Sequence, residues 1–201
     1  MKRKSIFLAA FLLVFAFAFN SQVNAKGIAI GATAENFSLP DLDGKTQSLN
    51  GLKGEKGTVV IWLSAQCPVV KQYNERINQI ADEYKAKGIN FIGINSNSSE
   101  SLDWVKSDVS KVGYKFPVLI DKDNVLADAF GANVTPEIFY FNEKNVLLYH
   151  GAIDNDKTGQ NISSNLLRDA FDLTLAGKPV VKTNYNATGC SIKRVKKEET
   201  K

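Results

Sequence analysis

The sequence predicts an α/β domain with a central, mostly parallel sheet, an antiparallel hairpin at one edge and helices on both faces. Three observations predict it. Val59–Leu63 and Ile89–Ile94 are continuous apolar runs of strand length, the pattern of strands buried on both faces. Between them Val70, Tyr73, Ile77, Ile80 and Tyr84 recur three and four residues apart, the stripe of an amphipathic helix. Strand, helix and strand in that order form a right-handed parallel unit. Finally, Ile138–Phe141 and Val146–Tyr149 flank the polar turn 142–145 and read as a hairpin.

The chain starts outside this fold. Met1-Lys2-Arg3-Lys4 is basic, Ile6–Phe19 is an apolar block, and Val23-Asn24-Ala25 ends on small residues, the pattern of a secretory signal peptide over 1–25. Its 14 apolar residues fall short of the roughly 20 that span a bilayer, so cleavage is expected rather than anchoring. Removal of Lys2, Arg3 and Lys4 lowers the formal charge from +4 to +1. A near-neutral mature chain gives no reason to expect nucleic acid or stable membrane association. The expected location is therefore exported, periplasmic or secreted.

The rest is long enough for one domain with a sizeable core, and nothing divides it. Phe37-Ser38-Leu39-Pro40 and the Asp43-Gly44 turn suggest a small hairpin covering a sheet edge. Gly88 ends the first long helix. Asn95–Ser99 sits at the C-terminal end of the second strand, where open α/β sheets place their sites, and reads in preference as a solvated loop. Ser98-Ser99-Glu100-Ser101 supplies N-cap candidates for a helix with Leu102, Val105, Val109 and Val112 as its apolar positions. Phe116–Ile120 is a strand and Val125–Phe130 a short helix closed by Gly131. Asn161–Ser164 caps the last helix, striped by Leu167, Phe171 and Leu175, and Gly177-Lys178-Pro179 stops it. From Val180 the chain is extended. Lys193, Arg194, Lys196 and Lys197 read as a solvated, frayed tail.

The chemistry concentrates where the first buried strand meets its helix. Ser64-Ala65-Gln66 breaks the apolar run and Cys67-Pro68 follows. Proline is favoured at the first helical position, which places Cys67 at the N-cap. There the unpaired backbone N–H groups and the positive end of the helix dipole favour the thiolate, the nucleophilic form. The alternative is an inert, buried Cys67. His150 is the only histidine, and without a Cys-x-x-Cys cluster it cannot build a zinc site, so no metal is expected. A general-base role for His150 has little to recommend it, since a surface histidine after a strand needs no special reason.

These residues carry a resemblance. Cys67-Pro68-Val69-Val70 resembles the Cys-x-x-Cys of thioredoxins with Val70 in place of the second cysteine. The frame around it resembles the peroxiredoxin pattern Pro-x-x-x-Thr-x-x-Cys, with Ser64 at the threonine position and Val60 where the proline stands. From about Gly31 to Cys190 the chain resembles the redoxin branch of the thioredoxin superfamily, the alkyl hydroperoxide reductase/thiol-specific antioxidant, peroxiredoxin-like group. The resemblance implies a thioredoxin-like fold over 26–189, with 190–201 as a C-terminal tail. It also implies a cis Thr135-Pro136 bond facing Cys67, the backbone before Pro136 offering hydrogen bonds to an extended partner. Gly189-Cys190-Ser191-Ile192-Lys193 resembles redoxin-like proteins with a cysteine near the C-terminus.

Two cysteines in an exported chain permit one disulfide. Residues 180–189 can span roughly 33 Å, whereas bridging requires a Cα separation below about 7 Å. Cys190 is therefore either a resolving cysteine or a small apolar plug elsewhere. Three functions follow, in order. The first is a thiol–disulfide oxidoreductase with Cys67 as nucleophile and Cys190 resolving. The second is a hydroperoxide reductase with antioxidant activity, for which Arg76, about 13 Å down the helix, is too far to grip a peroxide; Lys71 could add positive potential but not a guanidinium fork. The third is a non-catalytic binding module stapled by Cys67 and Cys190. The candidate site comprises catalytic Cys67 and Cys190 with substrate-binding Ser64, Pro68, Thr135 and Pro136. No cofactor is implied, and the expected partners are protein or small-molecule thiols, disulfides or peroxides and an external thiol reductant.

Overall fold

The structure, a computed structural model, describes residues 27–196. The expected signal peptide and the last five residues lie outside them.

The small hairpin β1 (Ser38–Pro40) and β2 (Thr46–Ser48) leads into the single turn α1 (Leu49–Leu52). Next come β3 (Gly57–Leu63), α2 (Pro68–Lys85), β4 (Ile89–Asn95), α3 (Leu102–Val112), β5 (Val118–Ile120) and α4 (Val125–Phe130). The chain continues through β6 (Val134–Thr135), β7 (Glu137–Asn142), β8 (Leu147–Gly151), α5 (Leu166–Leu175), β9 (Asn184–Tyr185) and β10 (Cys190–Ser191). The main sheet has six strands in the order β5-β4-β3-β7-β8-β9. β3 lies at its centre, parallel to β4 and antiparallel to β7. All seven of its residues are buried, which is why its sequence is apolar without alternation. The first hairpin lies against β5, where Asp41 bridges Leu119, and so covers that edge.

Alternate residues of β3 feed two cores. Val59, Ile61 and Leu63 pack with Tyr73, Ile77 and Tyr84 of α2 and Phe171 of α5. Val60 and Trp62 pack with Leu126 and Phe130 of α4 and with Leu49. Period-two alternation puts one helical layer on each face. Trp62 packs on Phe130 and Phe139 at ring-centroid distances of 5.5 and 5.1 Å, and its indole N–H donates to Ser96 Oγ at 3.0 Å.

Four expectations are corrected. In α3 Val105 is buried and Val109 packs half-buried against the first core, whereas Leu102 is 46% exposed, so the stripe in contact is narrower than the four expected positions. Asn165, not a residue of 161–164, is the N-cap of α5, since Asn155 Oδ1 already accepts from the Ser163 and Ser164 amides. The loop after β4 is not solvated: Asn95, Ser96 and Asn97 are buried. Ser96 Oγ donates to Asp121 Oδ2 at 2.8 Å, and Asp121 also receives the Leu126 and Ala127 amides at the start of α4. Buried polar groups stay where they are paired.

The fourth concerns the basic tail, whose residues 193–195 are docked rather than frayed. The Lys193 amide donates to Asn97 Oδ1 (3.0 Å), the Lys193 carbonyl accepts from the Ser98 amide (2.9 Å), and the Val195 amide donates to Asn124 Oδ1 (2.7 Å). Arg194 pairs with Asp128 at 2.6 Å and also donates to the Ala132 carbonyl. Charge composition alone could not reveal asparagine partners about 70 to 100 residues upstream.

Candidate active site

At the end of β3 the chain turns through Ser64, Ala65 and Gln66 into α2. Ser64 Oγ accepts from the Cys67 amide at 3.1 Å and the Gln66 amide at 3.3 Å, and donates to Glu100 Oε1 at 2.5 Å. Glu100 also accepts from the amides of Ala65 and Gln66, each at 3.0 Å, and from Asn95 Nδ2 at 2.6 Å. One carboxylate thus fixes the whole loop in front of the cysteine. Such charge-assisted bonds are the stronger class.

Cys67 is the N-cap of α2 and Pro68 its first residue, with Cys67 at φ −75° and ψ 116°. Its side chain makes no capping hydrogen bond. Instead Sγ is turned toward the Thr135 carbonyl oxygen, 3.3 Å away, and is bonded to Cys190 Sγ across a Cα separation of 5.9 Å. The Thr135-Pro136 peptide is cis. β10 lies antiparallel to β6, with Cys190 opposite Thr135 and Ser191 opposite Val134. Cys67, Cys190, Ser64, Thr135, Pro136 and Pro68 therefore form one cluster. The strand edge before Pro136, expected to receive an extended partner, is occupied by the chain's own tail.

Two carboxylates escaped the sequence reading of the site. Glu100 was a capping candidate and serves the Cys67 loop instead. Glu137, beside the cis-proline, is buried in an otherwise apolar strand, which is itself a signal, since a lone acid there must have partners. Its Oε2 accepts from the amides of Asn133 (2.7 Å) and Val134 (3.0 Å), and its Oε1 lies 2.7 Å from His150 Nε2. His150 also stacks on Phe139 at 4.2 Å between centroids. Its role here is to brace the carboxylate that orders β6.

The arginines of the described residues are engaged elsewhere. Arg76 donates to Asp154 (2.7 Å) and to the carbonyls of Asp156 (2.8 Å) and Lys157 (2.6 Å), Arg168 pairs with Glu83, and Arg194 with Asp128. Burial and the neighbouring Asp154 carboxylate hold the Tyr73 phenol well above its ordinary range, so it stays neutral. Among the described residues no three His, Cys, Asp or Glu side chains stand together as a metal site.

Gly189 precedes the tail cysteine because nothing larger fits. A Cβ there would lie 2.6 Å from the Thr135 carbonyl carbon and run into its oxygen. The Gly189→Ala chain should register β10 poorly on β6, leaving a larger fraction of free thiol in a fixed redox buffer than the parent. Equal thiol fractions by alkylation and mass measurement would contradict this fit.

Comparison with known proteins places these features in context. The Redoxin family profile matches residues 29–166. The chain is 33% identical over 129 residues to the thiol-disulfide oxidoreductase ResA of Halalkalibacterium halodurans, covering 64% of this chain and 68% of that protein. Among solved structures, a hypothetical protein of Sinorhizobium meliloti superposes with a TM-score of 0.78 at 33% identity, covering 85% of this chain and 97% of the other. An uncharacterised conserved protein of Geobacillus kaustophilus gives 0.79 at 30% identity, covering 84% and 94%.

Proposed function

The chain belongs to the Redoxin family, and on that premise we propose that it is a thiol–disulfide oxidoreductase working through the Cys67–Cys190 pair. The observation that carries the reading is this bond, which joins the N-cap sulfur of α2 to a strand laid beside the cis-proline. In the reduced protein one thiolate attacks a sulfur of a substrate disulfide, forming a mixed disulfide and releasing one substrate thiol. The other cysteine, as thiolate, attacks the protein-bound sulfur of that mixed disulfide, closes Cys67–Cys190 and releases the second thiol. Two electrons pass to the substrate, and an external dithiol returns them by the reverse exchange. Ser64 and Glu100 hold the loop that carries Cys67, Pro68 starts the helix behind it, and Thr135 and Pro136 wall the bond. The relative named a thiol-disulfide oxidoreductase supports this reading.

Peroxide reduction fits less well, because a guanidinium beside the thiolate is what that chemistry uses and the three described arginines are bound elsewhere. Export is part of the proposal and rests on the basic start, the apolar block and Val23-Asn24-Ala25.

The test exposes the reduced chain to oxidised glutathione or to hydrogen peroxide at equal concentration and follows Cys67 and Cys190 by mass spectrometry. Oxidised glutathione should close the bond and release two glutathione thiols per chain, faster than peroxide does. Faster oxidation by peroxide through a Cys67 sulfenic acid would favour a peroxidase. A bond that thiols neither open nor close would leave a structural staple.

A further inference from the structure

We propose that the sulfur which meets an external thiol or disulfide is that of Cys190, with Cys67 as the inner partner, the reverse of the order expected from the sequence. The inference rests on the oxidoreductase reading and specifies which atom of the pair faces the partner.

Access separates the two cysteines. Cys67 is 2% exposed and belongs to the main core, with the Thr135 carbonyl against its sulfur, whereas Cys190 is only partly buried at the rim of that core. Thiol–disulfide exchange requires the incoming thiolate to approach the attacked sulfur from the side away from its bonded partner. For Cys67 that path runs through its buried surroundings. Cys190, only partly buried, leaves surface for such an approach that Cys67 does not.

The tail also stays in place without the disulfide. Ile192 is 6% exposed and packs in the second core, its amide donates to the Asn133 carbonyl at 2.9 Å, and Lys193, Arg194 and Val195 have the partners described above. Reduction removes one of several anchors, so Cys67 remains covered and the β6 edge remains taken. A partner cannot reach Cys67 by adding a strand there.

Leaving-group chemistry points the same way. Cys67 sits at the positive end of an 18-residue helix, which stabilises the thiolate expelled when Cys190 is attacked. In the reductive direction an external thiolate bonds to Cys190 Sγ, the Cys67–Cys190 bond breaks, and its electron pair leaves on Cys67. A second external thiol, as its thiolate, then attacks the reductant-derived sulfur and frees Cys190. By microscopic reversibility Cys190 also attacks a substrate disulfide in the oxidative direction, and Cys67 closes the pair. The partners this suits are small thiols, or cysteines on exposed, flexible segments of proteins.

The oxidised full chain is mixed with limiting glutathione, quenched with acid within milliseconds to seconds, alkylated and peptide-mapped. Glutathione on Cys190 with the alkyl tag on Cys67 is expected, and the opposite pattern overturns the assignment. Because Cys67 can reclose the bond quickly, the single-cysteine chains Cys67→Ser and Cys190→Ser are also reacted with Ellman's reagent. Cys190 alone should react at least roughly ten times faster than Cys67 alone. Equal rates, or a faster Cys67, overturn the proposal even when no adduct is trapped. A bond that excess dithiothreitol leaves intact in the folded chain would instead sink the oxidoreductase reading itself.

Discussion

Reducing the Cys67–Cys190 bond lowers the thermal midpoint of the chain by roughly 10–20 °C. The bond joins residues 123 apart, so it closes most of the domain into one loop. Cross-linking a loop of that length removes unfolded-state entropy worth about 5 kcal/mol. For a chain of this size each kcal/mol moves the midpoint by about 2–4 °C. Calorimetry with and without reductant measures the shift, and Cys190→Ser should show the same loss without reductant. A midpoint that moves by less than about 5 °C would mean that the reduced, unfolded chain keeps enough structure of its own to leave the bond little entropy to remove.

Replacing Glu137 by alanine destabilises the domain by about 3 kcal/mol and makes the disulfide easier to reduce. The carboxylate holds the amides of Asn133 and Val134 and the ring of His150, and it lies in a buried strand next to the cis-proline. Removing it strips the acceptor from the half-buried Val134 amide and His150 ring, a loss of about 1–3 kcal/mol per group left unsatisfied, whereas the exposed Asn133 can turn to water. The effect also travels to the tail, since Asn133 accepts the Ile192 amide and Val134 pairs with Ser191. Chemical denaturation gives the stability change, and equilibration against glutathione gives the redox change. Glu137→Gln keeps one acceptor oxygen and should recover part of both. A Glu137→Ala chain of parental stability and parental redox equilibrium would show that the loop before Pro136 orders itself.

The sheet, its central strand and its helical layers were legible in the sequence because they rest on local periodicity. A seven-residue strand buried on both faces needs an uninterrupted apolar run, and a helix against it needs a three-and-four stripe. The N-cap position of Cys67 was legible for the same reason, since Cys-Pro after a strand can start a helix in few other ways. What misled were residues whose meaning depends on distant partners. Asn95, Ser96 and Asn97 are polar in composition and buried in fact, because Trp62, Asp121, Asn124 and the tail pair with them.

Sequence by itself therefore determined the α/β layering, the strand-to-helix junction that presents Cys67, and the existence of a second cysteine on an extended segment with the reach to approach it. Only the tertiary structure decided that Cys190 lies 5.9 Å from Cys67 between Cα atoms, that β10 fills the edge of β6, and that Glu100 and Glu137 brace the two loops of the site. The physical reason is range. Hydrophobic periodicity acts within one element and is written in neighbouring residues, whereas a disulfide, a strand edge and a buried carboxylate join groups that meet only after the sheet has brought them together.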